Sequence, residues 1–315
     1  MIGYTLRRLV QAAVVLLGLT VLVFALEHMI PGNLARAILG PRAGPAEIAA
    51  FDRLNGLDRP VVSQYLTFLS HVLHGNLGYS YRLNQSVDSL VAHELPNDLI
   101  LVGIALLLAL AISIPLGVAQ AVRRNRVLDH VVTGVSFLLY SMPSYWLGLL
   151  LIAGLAIGLH VFPPEAPQAV SPAGVLADPR ALVLPVVTLT LVNVALFARY
   201  MRSAAVDTLA QDYVRLARAK GLPARMVLWR HVLGNSLVPV VTLLGLSVPA
   251  VLTTGLVVEY VFNFPGLGLT YYNAAVNADY PVELGITVIV GIATVLGSLL
   301  ADLAYAVLDP RVRYD

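Results

Sequence analysis

Six stretches of this chain are too apolar, and too nearly free of charge, for water to be their solvent. They are Leu9–Leu26, Leu99–Val122, Val131–Phe162, Ala181–Ala198, Ser236–Val258 and Leu284–Ala301. A helix needs about 20 mainly apolar residues to cross a ~30 Å hydrocarbon core. The spans are therefore expected over about 9–30, 99–122, 131–162, 181–203, 236–258 and 284–306. Composition agrees: only 12% of the 315 residues are charged, about half the usual share for a soluble domain. The expectation is an all-α polytopic membrane protein folded as a single domain over residues 1–315.

Interruptions inside the runs are few. Gln11 and Thr20 are the polar breaks in the first, Pro143 marks a bend in the third, and Pro239 and Pro249 fall in the fifth. The carbonyls freed by those prolines need other partners. Arg7 and Arg8 precede the first run, as they would in a signal peptide. The run exceeds the ~7–15 residues of an h-region, and the small-x-small site Ala35–Ala37 lies well past its end. The expectation is an uncleaved anchor.

Basic residues near span ends set orientation. With the N-terminus inside, fourteen of the twenty Lys and Arg residues lie inside, among them Arg123, Arg124, Arg126, Arg311 and Arg313. The short connection 259–283 holds Glu259, Asp279 and Glu283 and no basic residue. Both termini are thus expected to be cytoplasmic. The net charge of +2 is too small to point to nucleic acid, and the absence of cysteine excludes disulfides and thiol chemistry.

Two connections are large. In the external loop 31–98, "LDRPVVSQYLTFLSHVLHG" reads as a helix capped by Asp58, with Pro60 in its first turn and Gly75 at its end. Val62, Tyr65, Leu66, Leu69, Val72 and Leu73 share one face. That face suits either the membrane and the spans beneath it or an external partner. The internal loop 199–235 holds seven Lys and Arg residues. Asp207 or Asp212 can cap a short helix ending at Gly221, and Pro223 can open a second helix running towards Gly234. Met226, Trp229 and Leu233 form an apolar stripe on that second helix. By composition alone, the loop is a topology signal touching lipid headgroups, a DNA-binding element, or a docking element for a cytosolic protein.

The order of residues points to the third. "RLARAKG" at 215–221 with "HVLGNSLVP" at 231–239 resembles the EAA loop of ABC-importer permeases, specifically those for dipeptides, oligopeptides and nickel. "LRRLVQAAVVLLGLTVLVFAL" with "MIPGN", "GLDRPVVSQYLTFL", "GNLGYS", "ISIPLGVAQAVRRNRVLDH", "SMPSYWLGLLL", "EYVFNFPGLG" and "DLAYAVLDPRVRY" carry the likeness along the whole chain. The resemblance implies a type I importer permease in the bacterial cytoplasmic (inner) membrane. Its partners would be a second homologous permease, two ATP-binding subunits and an extracytoplasmic solute-binding protein. It implies no cofactor on this chain, with ATP and Mg held by the partner subunits. The coupling residues it implies are Tyr213, Arg215, Ala217, Arg218, Lys220, Gly221, Leu222 and Pro223, with Ala217 and Gly221 as the small residues of close packing. Arg215 stands where the general signature has Glu, and Gly234 where it has Pro.

No GxxxxGK[ST] loop is present, so ATP hydrolysis is not expected of this chain. Polar residues inside the spans are Ser113, Ser136, Thr188, Thr190, Asn193, Thr253, Thr254 and Ser298. Each serves either helix–helix hydrogen bonding or the transported solute. Asn193, Thr253, Thr254 and Glu259 are the candidates for pore or gate. The segment "FNFPGLGLTYY" at 262–272 is either the outer mouth of the pore or an aromatic belt. A proton-coupled secondary transporter would need buried acids, and Glu27, Glu259 and Asp302 fall at span ends. An intramembrane protease would need a Ser/His pair or paired aspartates at mid-membrane depth, which the seven histidines and Asp302 do not supply.

Overall fold

The computed structural model describes residues 2–29, 34–40, 42–169 and 171–308, without side chains at 2–5, 8, 26–27, 34, 37–38, 246–253 and 300–308. The side chains of Glu27, Thr253 and Asp302, and the whole of Arg311 and Arg313, lie outside the described residues. The helices are α1 (Ile2–Met29), α2 (Leu34–Leu39), α3 (Pro45–Leu54), α4 (Val61–Leu73), α5 (Val87–Val122), α6 (Val127–Ser141), α7 (Ser144–Leu151) and α8 (Pro172–Ala177). They continue with α9 (Pro179–Leu209), α10 (Asp212–Ala219), α11 (Ala224–Val227), α12 (Gly234–Phe262), α13 (Leu267–Asn277) and α14 (Tyr280–Leu308). One antiparallel hairpin pairs β1 (Tyr79–Ser80) with β2 (Gln85–Ser86).

Four helical stretches among the described residues are long and apolar enough to cross a bilayer: Val87–Val122, Pro179–Leu209, Ala224–Gly245 and Tyr280–Leu299. The expected third span is broken rather than gently bent. The chain turns by 106° between α6 and α7, because Pro143 has no amide to donate and its ring excludes a continuing helix. Ser141 caps the broken end, its hydroxyl donating to the carbonyls of Phe137 (2.9 Å) and Leu138 (3.1 Å). The expected first span lies in α1, where the described apolar stretch, Leu9–Ala25, is shorter than a full crossing.

α9 is the centre of the bundle. It packs most extensively along α5, and α12 lies against both α9 and α14. Lipid offers no hydrophobic drive between helices, so close approach and interhelical hydrogen bonds must hold them. Small residues supply the approach: Ala195, Ala198 and Ala205 are buried on α9, Ala105 and Ala109 on α5. At Gly117 the seam between α5 and α9 leaves no room for a side chain, since a Cβ there would lie 2.7 Å from the Met201 Cβ and 2.9 Å from the Ala198 carbonyl oxygen. Thr190 adds a hydrogen bond to the Ala105 carbonyl across the pair, at 3.3 Å.

The remaining elements gather at two ends. At one, the loop end, lie residues 34–86, the 159–178 connection and α13. At the other, the basic end, lie residues 123–126 and 210–233. In α4 the helix begins after Pro60 and ends at His74, with Gly75 in the left-handed region at φ +79°. Asp58 does not cap it. The face that α4 packs on α1 is not the predicted apolar stripe alone. Phe24 of α1 meets the rings of Tyr65 (5.4 Å) and Phe68 (5.8 Å), while Val62, Leu66 and Leu73 stay exposed.

Gly117→Val is expected to pry α5 from α9 and destabilise the fold by about 1–3 kcal/mol, the usual cost of overpacking. Gly103→Ala, whose Cβ would meet nothing within 4 Å, serves as control. Thermal melting of the detergent-solubilised protein checks the difference.

Candidate functional site

The basic end is built around a helix stop. α10 ends at Ala219, Lys220 caps it, and Gly221 turns left-handed at φ +78°. The Gly221 amide donates to the Arg218 carbonyl (2.9 Å) and the Leu222 amide to that of Ala217 (3.3 Å). This is a Schellman motif, which satisfies carbonyls that a helix end would otherwise leave bare. Leu222 folds back onto the cluster that contains Ala217, completing the motif's apolar contact. Pro223 then opens α11, its carbonyl accepting from Met226 (2.9 Å) and Val227 (3.1 Å). Sequence "RAKGLP" therefore encodes stop, reversal and restart in six residues.

The helical spacing divides α10 into two faces. Val214 and Ala217 point inward and join Ala121 of α5, Ala205 of α9, and Val227 and Val232 in one apolar cluster. Tyr213 and Leu216 point outward, with Leu216 56% exposed. Arg215, Arg218, Lys220 and Pro223 are exposed as well, and Leu222 is half-buried. Arg215 pairs only with exposed Asp212 at 3.4 Å, a surface contact of little energetic weight. On the following turns Met226 and Trp229 are exposed, Trp229 by 67%. The result is a protruding surface of four large apolar side chains set among Arg215, Arg218, Lys220 and Arg225.

Several sequence-based boundaries shift here. α9 continues to Leu209, so Asp207 lies inside it and caps nothing, and Asp212 is the first residue of α10 rather than its cap. The second helix does not stop at Gly234. It passes through a π-helical segment, Leu228–Leu233, directly into α12, with Gly234 at helical φ −56°. Ala217 faces the protein's own core, and a Cβ at Gly221 would meet nothing within 4 Å. Gly221 is thus explained by its left-handed backbone.

Two contacts that sequence reasoning missed tie this end together. Arg202 grips Asp129 bidentately, Nε to Oδ1 at 2.5 Å and Nη2 to Oδ2 at 2.7 Å. The Asn125 amide and the Gln120 side chain complete the Asp129 shell at 3.0 and 3.4 Å. Ser236 of α12 donates to the Thr208 hydroxyl of α9 at 3.0 Å. Arg199, read as a loop cation, instead lies over the rings of Phe137 and Tyr140. Asp129, placed directly after the run "RRNRVL", was the available signal: a lone acid beside a basic cluster invites a partner.

The loop end places the other expected residues. Glu259 is 1% exposed and accepts from the Gly268 amide at 2.6 Å. Asp98 accepts from the Leu267 amide with both oxygens at 3.2 Å. The two carboxylates therefore cap the N-terminus of α13, where the helix dipole favours negative charge. Gly266 and Gly268 make room for them, since a Cβ at either would collide with the Glu259 carboxylate. Glu94 holds the Thr270 hydroxyl at 2.8 Å. Asn193 is buried, its side-chain amide donating to the Leu189 backbone carbonyl of its own helix at 2.7 Å, and Thr254 is half-buried. Among the described residues no cluster of His, Cys, Asp and Glu is arranged to hold a metal.

An apolar helical bundle with a rooted, outward-facing basic helix at one end defines a multi-pass membrane protein. The chain belongs to the family described as the binding-protein-dependent transport system inner membrane component, matched over residues 113–314, with that family's N-terminal part matched over 1–102. It is 37% identical over 316 residues to an oligopeptide transport system permease protein of Bacillus subtilis, covering 100% of both chains. It is 34% identical over 339 residues to the dipeptide transport system permease protein of Escherichia coli, covering 100% of this chain and 99% of that one. With the glutathione transport system permease protein of Salmonella choleraesuis it shares 36% over 319 residues, covering 100% of both.

Arg202→Ala is expected to strand the buried Asp129 carboxylate at a cost of about 3–5 kcal/mol. Arg202→Lys restores part of this, because an ammonium cannot reproduce the two-pronged contact. Melting temperatures of the two purified variants, compared with the parent, check the order.

Proposed function

We propose that this chain is a permease subunit of an ATP-driven importer of short peptides in the bacterial cytoplasmic membrane, with its N-terminus inside and the basic end facing the cytosol. The observation that carries the reading is the two-faced α10, rooted in the bundle by Val214 and Ala217 and presenting Tyr213, Leu216 and the basic residues to a partner. The peptide class is supported by the oligopeptide and dipeptide permeases that match the chain from end to end.

In this reading two cytosolic ATP-binding subunits supply the energy, a second permease completes the pore, and an external binding protein delivers the solute. Closure of the ATP-binding subunits displaces α10. The Ala121 and Ala205 contacts pass that displacement to α5 and α9, and the Ser236–Thr208 bond passes it to α12. At its far end α12 holds α13 through Glu259, so movement at the basic end reaches the loop end along one continuous helix. Such coupling requires two discrete arrangements that both ends bias. A proton-coupled secondary transporter is the competing reading, and buried Asp98 and Glu259 are the acids it would use. Their hydrogen bonds to the α13 amides give them a structural task instead.

Leu216→Asp is the sharper probe than Gly221→Glu, because Gly221 also has a backbone requirement. In proteoliposomes holding the whole complex, Leu216→Asp should cut ATP-dependent peptide uptake by about tenfold or more, the expected effect of burying an unpaired charge in an interface. Membrane insertion and recovery of the second permease should be unchanged. Undiminished uptake in this variant would sink α10 as the coupling element.

A further inference from the structure

At the loop end, α1, α3 and α4, the β-hairpin and the starts of α5 and α14 line a half-open cavity of about 720 Å³. Sites for small ligands commonly measure about 300–1,000 Å³, with mostly apolar walls and a few placed polar groups. This cavity has that composition. Phe24 and Phe68 stack at 5.8 Å on one wall, and Phe51 meets Tyr81 edge-on at 5.5 Å on another. The Tyr81 hydroxyl is spent on Asn55 at 2.7 Å, so its ring is what the cavity receives.

The polar groups on the wall fall into two sets. Asp88 accepts from the Leu77 amide at 2.7 Å, and the neutral Gln64 amide donates to the carbonyls of Leu57 and Arg59. Exposed Arg59 and half-buried Asp52 line the same cavity, and neither side chain enters any of the hydrogen bonds or ion pairs found among the described residues. They do not pair with each other. One free cation and one free anion between aromatic walls match a zwitterion that carries an apolar side chain. At about 30 Å³ per water, the space holds on the order of two dozen water-sized groups, the bulk of a short peptide rather than of one amino acid.

We infer that this cavity is a binding site for short zwitterionic peptides, with Arg59 taking the terminal carboxylate, Asp52 the terminal ammonium and the Phe24–Phe68 wall an apolar side chain. The choice of peptide as ligand rests on the import reading above. The site lies within one chain and holds solute beside the start of α14, which packs along α12.

The test is calorimetric titration of the complete membrane complex, in nanodiscs and without binding protein, using alanyl-phenylalanine as the probe. Saturable binding is expected, weakened about tenfold by Arg59→Ala and by Asp52→Asn, as for loss of one charge-assisted hydrogen bond. The N-acetylated, C-amidated probe should bind as weakly as the variants allow. Both variants should melt like the parent, since neither side chain supports the fold. No saturable binding, parent-like binding by both variants, or equally tight binding of the blocked probe would each overturn the site. Peptide uptake by the parent complex with its binding protein is measured in parallel. Uptake without binding at the cavity overturns the site alone, and absence of uptake overturns the import reading while the titration still decides the site.

Discussion

Everything at both ends of this molecule depends on how closely α5 and α9 approach. In a bilayer the apolar side chains of two helices gain nothing by leaving lipid for each other. What holds the pair is dispersion at short range, and that requires alanine and glycine along the seam: Ala105, Ala109 and Gly117 facing Ala195, Ala198 and Ala205. The same seam fixes the spacing of Ala121 and Ala205, and these two residues form the floor on which α10 stands. A helix pair that was loose here would leave the exposed basic surface without a rigid base.

The two ends solve one problem, the unsatisfied backbone at a helix terminus, with different chemistry. At the basic end α10 closes on itself through Gly221 and Leu222, using only main-chain groups. At the loop end α13 borrows carboxylates from two other helices, Asp98 from α5 and Glu259 from α12. The first solution leaves the side chains of α10 free to face outward. The second spends acidic side chains to bind three helices at one point. The hairpin adds a further anchor where Ser80 donates to Asp279 at 2.5 Å, next to the left-handed Ala278 that ends α13.

Much of this was legible in the order of residues. Apolar length marked the helices α5, α9, α12 and α14, and Gly221 with Pro223 marked the stop and restart of the basic connection. Sequence reasoning failed where a residue's partner is distant in the chain. Asp129 and Arg202 lie 73 residues apart, and Asp98 lies 169 from Leu267. Only the fold brings each of these acids to its partner. Local signals also misled where tertiary packing outweighed them. Asp207 has the chemistry of a cap but sits within a helix held by its neighbours, and Gly234 has the chemistry of a stop but lies in an unbroken one.

The six residues Leu228–Leu233 give the long helix beneath α11 a property that a plain α-helix lacks. A π-helical turn closes its hydrogen bond at i→i+5, one residue later than an α turn. Those residues hold the chain slightly underwound. Returned together to α geometry, those six residues would rotate the helix above Gly234 by on the order of 100°, less than 20° apiece. The winding of this one segment therefore sets which way the polar residues along α12 face.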